Sequence, residues 1–207
     1  MQKVLEYIKH VEGDKVHRNK GEKDITSPYG IYKHAHPDAS IFNYIDSVAN
    51  SLSIVKNSKK WTAEDILTIN KNLDTAEIDE HALAFYEEYF KGARLHLFDK
   101  NAKILCAVLY SNSTVMMWKS VQTALLTLQK QERIDGSLEL SIADGLFGRK
   151  TDRSLSSRSV QALQPYELYD NIMIAAQYNY VSLWHKNKIK YGVFLFGWLN
   201  RLKKILG

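Results

Sequence analysis

The apolar residues of this 207-residue chain recur at intervals of three and four almost from end to end, and runs that alternate apolar with polar are scarce. That spacing lines apolar groups along one face of a helix, whereas a strand needs a period of two. An all-α fold is the expectation. Val4, Ile8 and Val11 form one stripe, on an opening helix that ends near Glu12-Gly13. A second helix follows Ser40, with Ile41, Tyr44, Ile45, Val48 and Leu52 on one face. Thr62 and Asp65 have the spacing of a capping box, flanked by Trp61 and Ile66 as a hydrophobic staple. The helix expected after Thr75 buries Ile78, Ala82, Phe85 and Tyr89.

In the second half, residues 104–110 are apolar all round and read as a buried central helix. Ser113 or Thr114 caps the next helix, whose stripe is Trp118, Val121, Leu125 and Leu128. Asp135-Gly136 and Asp144-Gly145 mark loops. A short polar helix is expected over residues 153–163, then a helix from Pro165 to about Trp184, then an amphipathic segment over residues 191–206. Residues 15–37 break the pattern. They are polar, with turn residues at Ser27-Pro28 and Gly30, and predict a small irregular or β-hairpin N-terminal lobe. With no repeat, linker or low-complexity tract, residues 1–207 are read as a single domain.

Composition narrows the setting. Hydrophobic residues make up 45% of the chain, enough for a substantial core. The single Cys106 cannot form an internal disulfide and lies in the apolar run, so it reads as a buried thiol in a protein made in a reducing compartment. Residues 1–11 alternate charged and apolar groups, unlike a signal peptide. No apolar run reaches the roughly 18 residues that span a bilayer. The formal net charge is +5 and is unevenly placed: from Asn171 to Gly207 there is no Asp or Glu, against six Lys and Arg. Such a stretch favours an anionic partner, whether wall carboxylate, lipid headgroup or nucleic acid.

The residue with the most chemical promise is Glu12. Cleaving a glycosidic bond requires protonation of the leaving oxygen, and a carboxylic acid does this at neutral pH when burial raises its pKa. Glu12 follows directly on the apolar face of a helix, and Gly13 lets the backbone turn away. Glu22, Asp24 and Thr26 in the polar lobe could position or activate water. Tyr29 and Tyr32 could stack on sugar faces.

Several short motifs add to this reading. Glu12-Gly13-Asp14 followed by Thr26-Ser27-Pro28-Tyr29-Gly30-Ile31 resembles the opening of glycoside hydrolase family 108. Glu88-Tyr89-Phe90 resembles that family's aromatic helix, and Ser111-Asn112-Ser113 its Asn-containing helix end. Leu128-Gln129 follows in family order. Asp144-Gly145-Leu146-Phe147-Gly148-Arg149-Lys150-Thr151 is similar to its Asp-Gly-x-x-Gly-x-x-Thr loop, and Gly197-Trp198-Leu199-Asn200-Arg201 to its closing motif. Three positions depart from the pattern: Asp14 replaces a Gly, Asp24-Ile25 a Gly pair, and Val108 an Asp.

The resemblance implies a lysozyme-like N-acetylmuramidase that cleaves the β-1,4 bond between N-acetylmuramic acid and N-acetylglucosamine of bacterial peptidoglycan. It implies Glu12 as general acid, with Asp24 or Glu22 as the second carboxylate, Thr26 orienting water, and Tyr29, Tyr32 and Asn112 touching substrate. An inverting pair would hold its carboxylates roughly 6.5–9.5 Å apart. It further implies a catalytic half over residues 1–95 and a helical peptidoglycan-binding half over residues 96–207 packed against it. No cofactor or metal is expected. The setting would be an endolysin made in the cytoplasm without a signal peptide, reaching the wall in the periplasm by holin- or secretion-dependent release. A non-catalytic wall-binding or structural protein is the alternative.

Other features read more plainly. His34 and His36, with His17 nearby, lack an organised third ligand and are expected to be surface residues rather than a metal site. The basic terminal segment reads as a packed final helix. Its second reading is an amphipathic element drawn to an anionic membrane or wall, with Phe194, Trp198, Leu202 and Ile205 on its apolar side. No DNA-reading motif accompanies the charge, so no nucleic acid is expected as a partner.

Overall fold

The computed structural model describes residues 1–19, 21–54, 56–136 and 140–206 and is mainly α-helical. Its contacts divide the chain into two compact units, Met1–Tyr89 and Phe90–Gly207.

The first unit opens with α1 (Gln2–Glu12), which buries Val4, Leu5, Ile8 and Val11. Gly13 ends it at φ 98°, a backbone that an L side chain rarely tolerates, and its N–H donates to the Lys9 carbonyl. Three further helices follow: α2 (Ser40–Ser51), α3 (Ala63–Asn72) and α4 (Thr75–Tyr89). Helices α1 and α2 pack on α4, and α3 on α2. The capping box at Thr62 forms: its hydroxyl accepts from the Asp65 N–H, and the Asp65 carboxylate accepts from the Thr62 N–H.

Two stripes differ from expectation by one step around the helix. In α2 the buried residues are Ile41, Phe42, Ile45 and Ala49, while Tyr44, Val48 and Leu52 are half-buried. In α4 they are Ile78, Ala82 and Tyr86, with Phe85 and Tyr89 half-buried. A stripe wider than a single row of positions admits either phase, and packing against neighbours decides it.

Among the described residues of 13–39 there is no α-helix, and pairing is only local. Thr26 bridges antiparallel to both His17 and Tyr32, and a 310 turn covers Pro28–Gly30. Side chains from the helical part supply what regular pairing lacks. The Asn70 amide accepts from the Val16 N–H and donates to its carbonyl, each at 2.8 Å. The Arg18 guanidinium donates to the carbonyls of Ser58 and Trp61.

The second unit is layered around α5 (Lys100–Asn112), in which residues 104–110 are all buried, Cys106 included. Asp99 caps it through the N–H groups of Asn101 and Ala102, and Ser113 caps α6 (Thr114–Lys130) through that of Met116. Trp118, Val121, Leu125 and Leu128 of α6 are buried. The single polar helix expected over residues 153–163 is instead two short ones, α7 (Arg149–Leu155) and α8 (Arg158–Gln161). Ser157 divides them, because its hydroxyl accepts from the Val160 N–H and so starts a new helix.

Pro165 then opens α9 (Pro165–Lys186), and α10 (Lys188–Leu206) returns along it. Helix α9 also packs on α5 and α6. Leu195 and Leu202 of α10 are buried, and Trp198 stacks on Tyr180 with ring centres 4.8 Å apart. The final helix thus has a packed face, although the side chains of Phe194 and Ile205 lie outside the described residues. Among the described residues no helix is long and apolar enough to cross a membrane.

Candidate functional site

Glu12 is the last residue of α1 and stands seven positions after Leu5 and four after Ile8. The helical period therefore puts a carboxylate on the stripe that its predecessors bury. It is half-buried there. The chain returns over it at Gly30, where φ is 76°. A Cβ at Gly30 would stand 2.8 Å from Glu12 Cγ, 2.9 Å from Cβ and 3.1 Å from Cδ. No larger residue fits without moving the Glu12 side chain.

This close approach is held from two sides. The Tyr29 N–H donates to the Gly13 carbonyl at 3.0 Å, so the turn is pinned to the end of α1. The buried Tyr86 hydroxyl of α4 donates to the Tyr29 carbonyl at 2.7 Å. Burial pushes the Tyr86 hydroxyl pKa up, and the negative charge of Glu12 adds to the rise. Glu12, the Gly30 backbone and the Tyr86 phenol thus form one cluster. Tyr86 was missed in the sequence reading although Ile78 and Ala82, eight and four positions before it, carry its period.

The remaining candidates fall out as follows. Thr26 is buried at the centre of the two bridges, and its hydroxyl donates to Glu22 Oε2 at 3.3 Å. Glu22 is half-buried and also accepts from the Asn19 backbone and side-chain N–H groups at 2.8 Å. Asp24 is 4% exposed; its Oδ1 accepts from the Ser58 hydroxyl at 2.7 Å and the Ile25 N–H at 2.9 Å. Its geometry serves to tie residues 24–25 to residue 58, and as a carboxylate facing solvent or substrate Asp24 is set aside.

Tyr29 is also 4% exposed, so it lacks the open ring face that stacking on a sugar needs. Its hydroxyl donates to Asp79 Oδ1 at 2.6 Å, Lys9 pairs with the same oxygen at 2.8 Å, and burial with the Asp79 hydrogen bond pushes the phenol pKa upward. Tyr32 is half-buried, and its hydroxyl accepts from the Lys23 N–H. Asn112 belongs to the second unit, where its amide donates to the carbonyl of the buried Val108 at 2.8 Å. Here Asn112 closes the last turn of α5.

A groove of about 580 Å³ lies between α1 and α4. Leu5 and Leu83 are among its apolar lining, and Glu6, Asp79, Glu80 and Glu87 line it with carboxylates. It reaches Tyr29, the neighbour of Gly30, and Glu12 itself is outside its lining.

Of the three histidines considered as metal ligands, His36 is half-buried with its edge to Phe85 and Tyr89, and burial lowers its pKa. His34 is exposed beside Tyr32, and His17 Nδ1 lies 3.2 Å from the Lys15 carbonyl oxygen. Among the described residues no three His, Cys, Asp or Glu side chains gather as a metal-binding group.

The second unit holds a polar centre around the motif at residues 144–151, and its organising residue, Gln122, is one that the sequence reading also missed. Gln122 of α6 is 2% exposed and organises the loop over residues 144–151. Its Nε2 donates to Asp144 Oδ1 at 2.8 Å, the Leu146 carbonyl at 2.9 Å and Thr151 Oγ1 at 3.1 Å. Its Oε1 accepts from the Gly145 N–H at 2.8 Å. Gly145 has φ 82°, and a Cβ there would meet Val115 Cγ1 at 2.7 Å and the Val115 carbonyl oxygen at 2.9 Å. No protein family, curated protein or solved structure matches the chain.

Proposed function

We propose that the first unit is a lysozyme-like peptidoglycan hydrolase module and that Glu12 is its general acid, cleaving the N-acetylmuramic acid to N-acetylglucosamine bond. The observation that carries this reading is the Gly30 backbone lying against the Glu12 side chain. A helix end needs no such approach; a carboxyl group that must be held in one place does. Glu22, whose Oε2 receives the Thr26 hydroxyl, is the second carboxylate in this scheme. Thr26 and Glu22 together position the water that completes hydrolysis, and Asp24 is left with a structural role. The short motifs similar to glycoside hydrolase family 108 support the same chemistry, with Glu12, Thr26 and Gly30 all inside them.

The alternative, a wall-binding protein without hydrolytic activity, is favoured by one observation: Asp24, one of the two candidates for the second carboxylate, is committed to Ser58. Digestion of purified sacculi followed by mass spectrometry separates the two. Fragments with reducing-end N-acetylmuramic acid, lost in Glu12→Gln, support the hydrolase. Intact sacculi that retain bound protein support the alternative. Freed peptides or anhydro ends would sink both.

A further inference from the structure

Helix α9 is packed on one side by α5, α6 and α10, yet its opposite side leaves large apolar groups among its polar ones. Tyr166, Ile174 and Tyr178 are 60%, 65% and 67% exposed. Ile174, Tyr178, Val181 and His185 follow the spacing i, i+4, i+7, i+11 and so share one face. Asp170 marks the end of that face toward Tyr166; beyond it the helix carries no acid. At the corner where α9 gives way to α10, Ile189 is 95% exposed. Lys186 and Lys188, both exposed, precede it, and the Lys188 ammonium sits 5.2 Å from the centre of the half-buried Trp184 ring.

An isoleucine left in water beside lysines, with tyrosine and tryptophan close by, has the composition of an interfacial element. Apolar groups enter the acyl boundary, aromatic rings sit at headgroup level, and ammonium groups meet lipid phosphates. A glycan or a polyanionic wall polymer would match the lysines and gain nothing from Ile174 or Ile189. The complete absence of Asp and Glu from Asn171 to Gly207 removes the charges an anionic surface would repel. Since no described helix can span a bilayer, the mode is contact in the plane of the interface. We infer that the outer face of α9 and the corner at Ile189 form a docking surface for anionic phospholipid bilayers.

The surface is independent of the chemistry proposed for Glu12. The full chain is sedimented with vesicles of phosphatidylcholine alone and of phosphatidylcholine mixed with phosphatidylglycerol. Binding is expected only to the mixed vesicles. Ile189→Ser together with Ile174→Ser should weaken it roughly tenfold or more, and Lys186→Ala or Lys188→Ala roughly fivefold each. All four side chains are exposed, so these variants should melt like the parent. Equal binding to both vesicle types, or no binding to either, overturns the inference. So does loss in the lysine variants with none in the isoleucine pair, which would mean attraction without insertion. Hydrolysis of lipid-free sacculi should be unchanged in every variant, so failure here and failure of the hydrolase reading are separately visible.

Discussion

Gly30 and Gly145 share a positive φ, 76° and 82°, and each is crowded where a side chain would begin. What crowds them differs. Gly30 faces the Cβ, Cγ and Cδ of Glu12, while Gly145 faces the backbone oxygen of Val115 as well as its side chain. The first glycine fixes where a carboxyl group can be. The second lets a loop close onto a helix and receive Gln122, whose two amide hydrogens are shared among three acceptors and whose oxygen accepts from the Gly145 N–H. A positive φ that only glycine adopts readily thus serves placement of a reactive group in one unit and closure of a loop in the other.

The sharpest way to break this contrast is Glu12→Gln. If Gly30 exists to place an acid, sacculus hydrolysis should fall by about 10²-fold or more, as expected for loss of a general acid. The amide is nearly isosteric, so the thermal midpoint should stay within a degree or two. Hydrolysis at the parent rate would end the assignment.

Next in size are the glycines. Gly145→Ala should cost about 3 kcal/mol, from left-handed strain plus a clash with backbone that cannot rotate away. Gly30→Ala should cost somewhat less in denaturant melts and also reduce hydrolysis. Its stability loss should shrink by about 1 kcal/mol when Glu12→Ala is added, since Cγ and Cδ then leave the crowded space. A strictly additive pair would show that the two residues are not coupled. Gln122→Ala comes third, at about 2–3 kcal/mol, because the Gly145 N–H loses its acceptor inside the protein. A cost under about 0.5 kcal/mol would mean that water replaces the glutamine.

Much of the helical framework could be read from spacing and capping alone. The Thr62–Asp65 box shows why: both partners lie within one turn of sequence, and their chemistry leaves few alternatives. The fully apolar run over residues 104–110 could face no solvent and does not. The stripes of α2 and α4 were legible only to within one position, since Ala49 or Val48, and Tyr86 or Phe85, fit a broad apolar face equally. Glu12 could be singled out because it sits at a helix end beside a glycine. The roles of Asp24, Tyr29 and Asn112 could not, because Ser58, Asp79 and Val108 are the partners that define them. Two of those three lie more than thirty positions away in sequence. Gln122 was hidden for the same reason: a glutamine inside a helix shows no sign of the loop it will meet.

The smallest expected effect concerns acid, and it compares the units through one carboxylate each. The Lys56 ammonium, then the Thr62 N–H and hydroxyl, hold Asp65 down to a pKa of about 2. The Leu146 N–H, then the Gln122 amide, hold Asp144 below its usual range. In both cases the folded state favours the ionised form. The stabilisation is therefore complete above the ordinary carboxylate pKa near 4 and fades as pH falls through the folded value. Asp144 is exposed and Asp65 half-buried, and salt should shrink the Asp65 effect, which depends on an ammonium, more than the Asp144 effect, which depends on neutral donors. Titrating the two carboxyl carbons by NMR at low and high salt tests this. Asp65 should move toward its ordinary value with added salt while Asp144 stays depressed. Were Asp144 to titrate normally in the parent and unchanged in Gln122→Ala, the loop would not be organised by the glutamine, and the contrast with Gly30 would lose its second half.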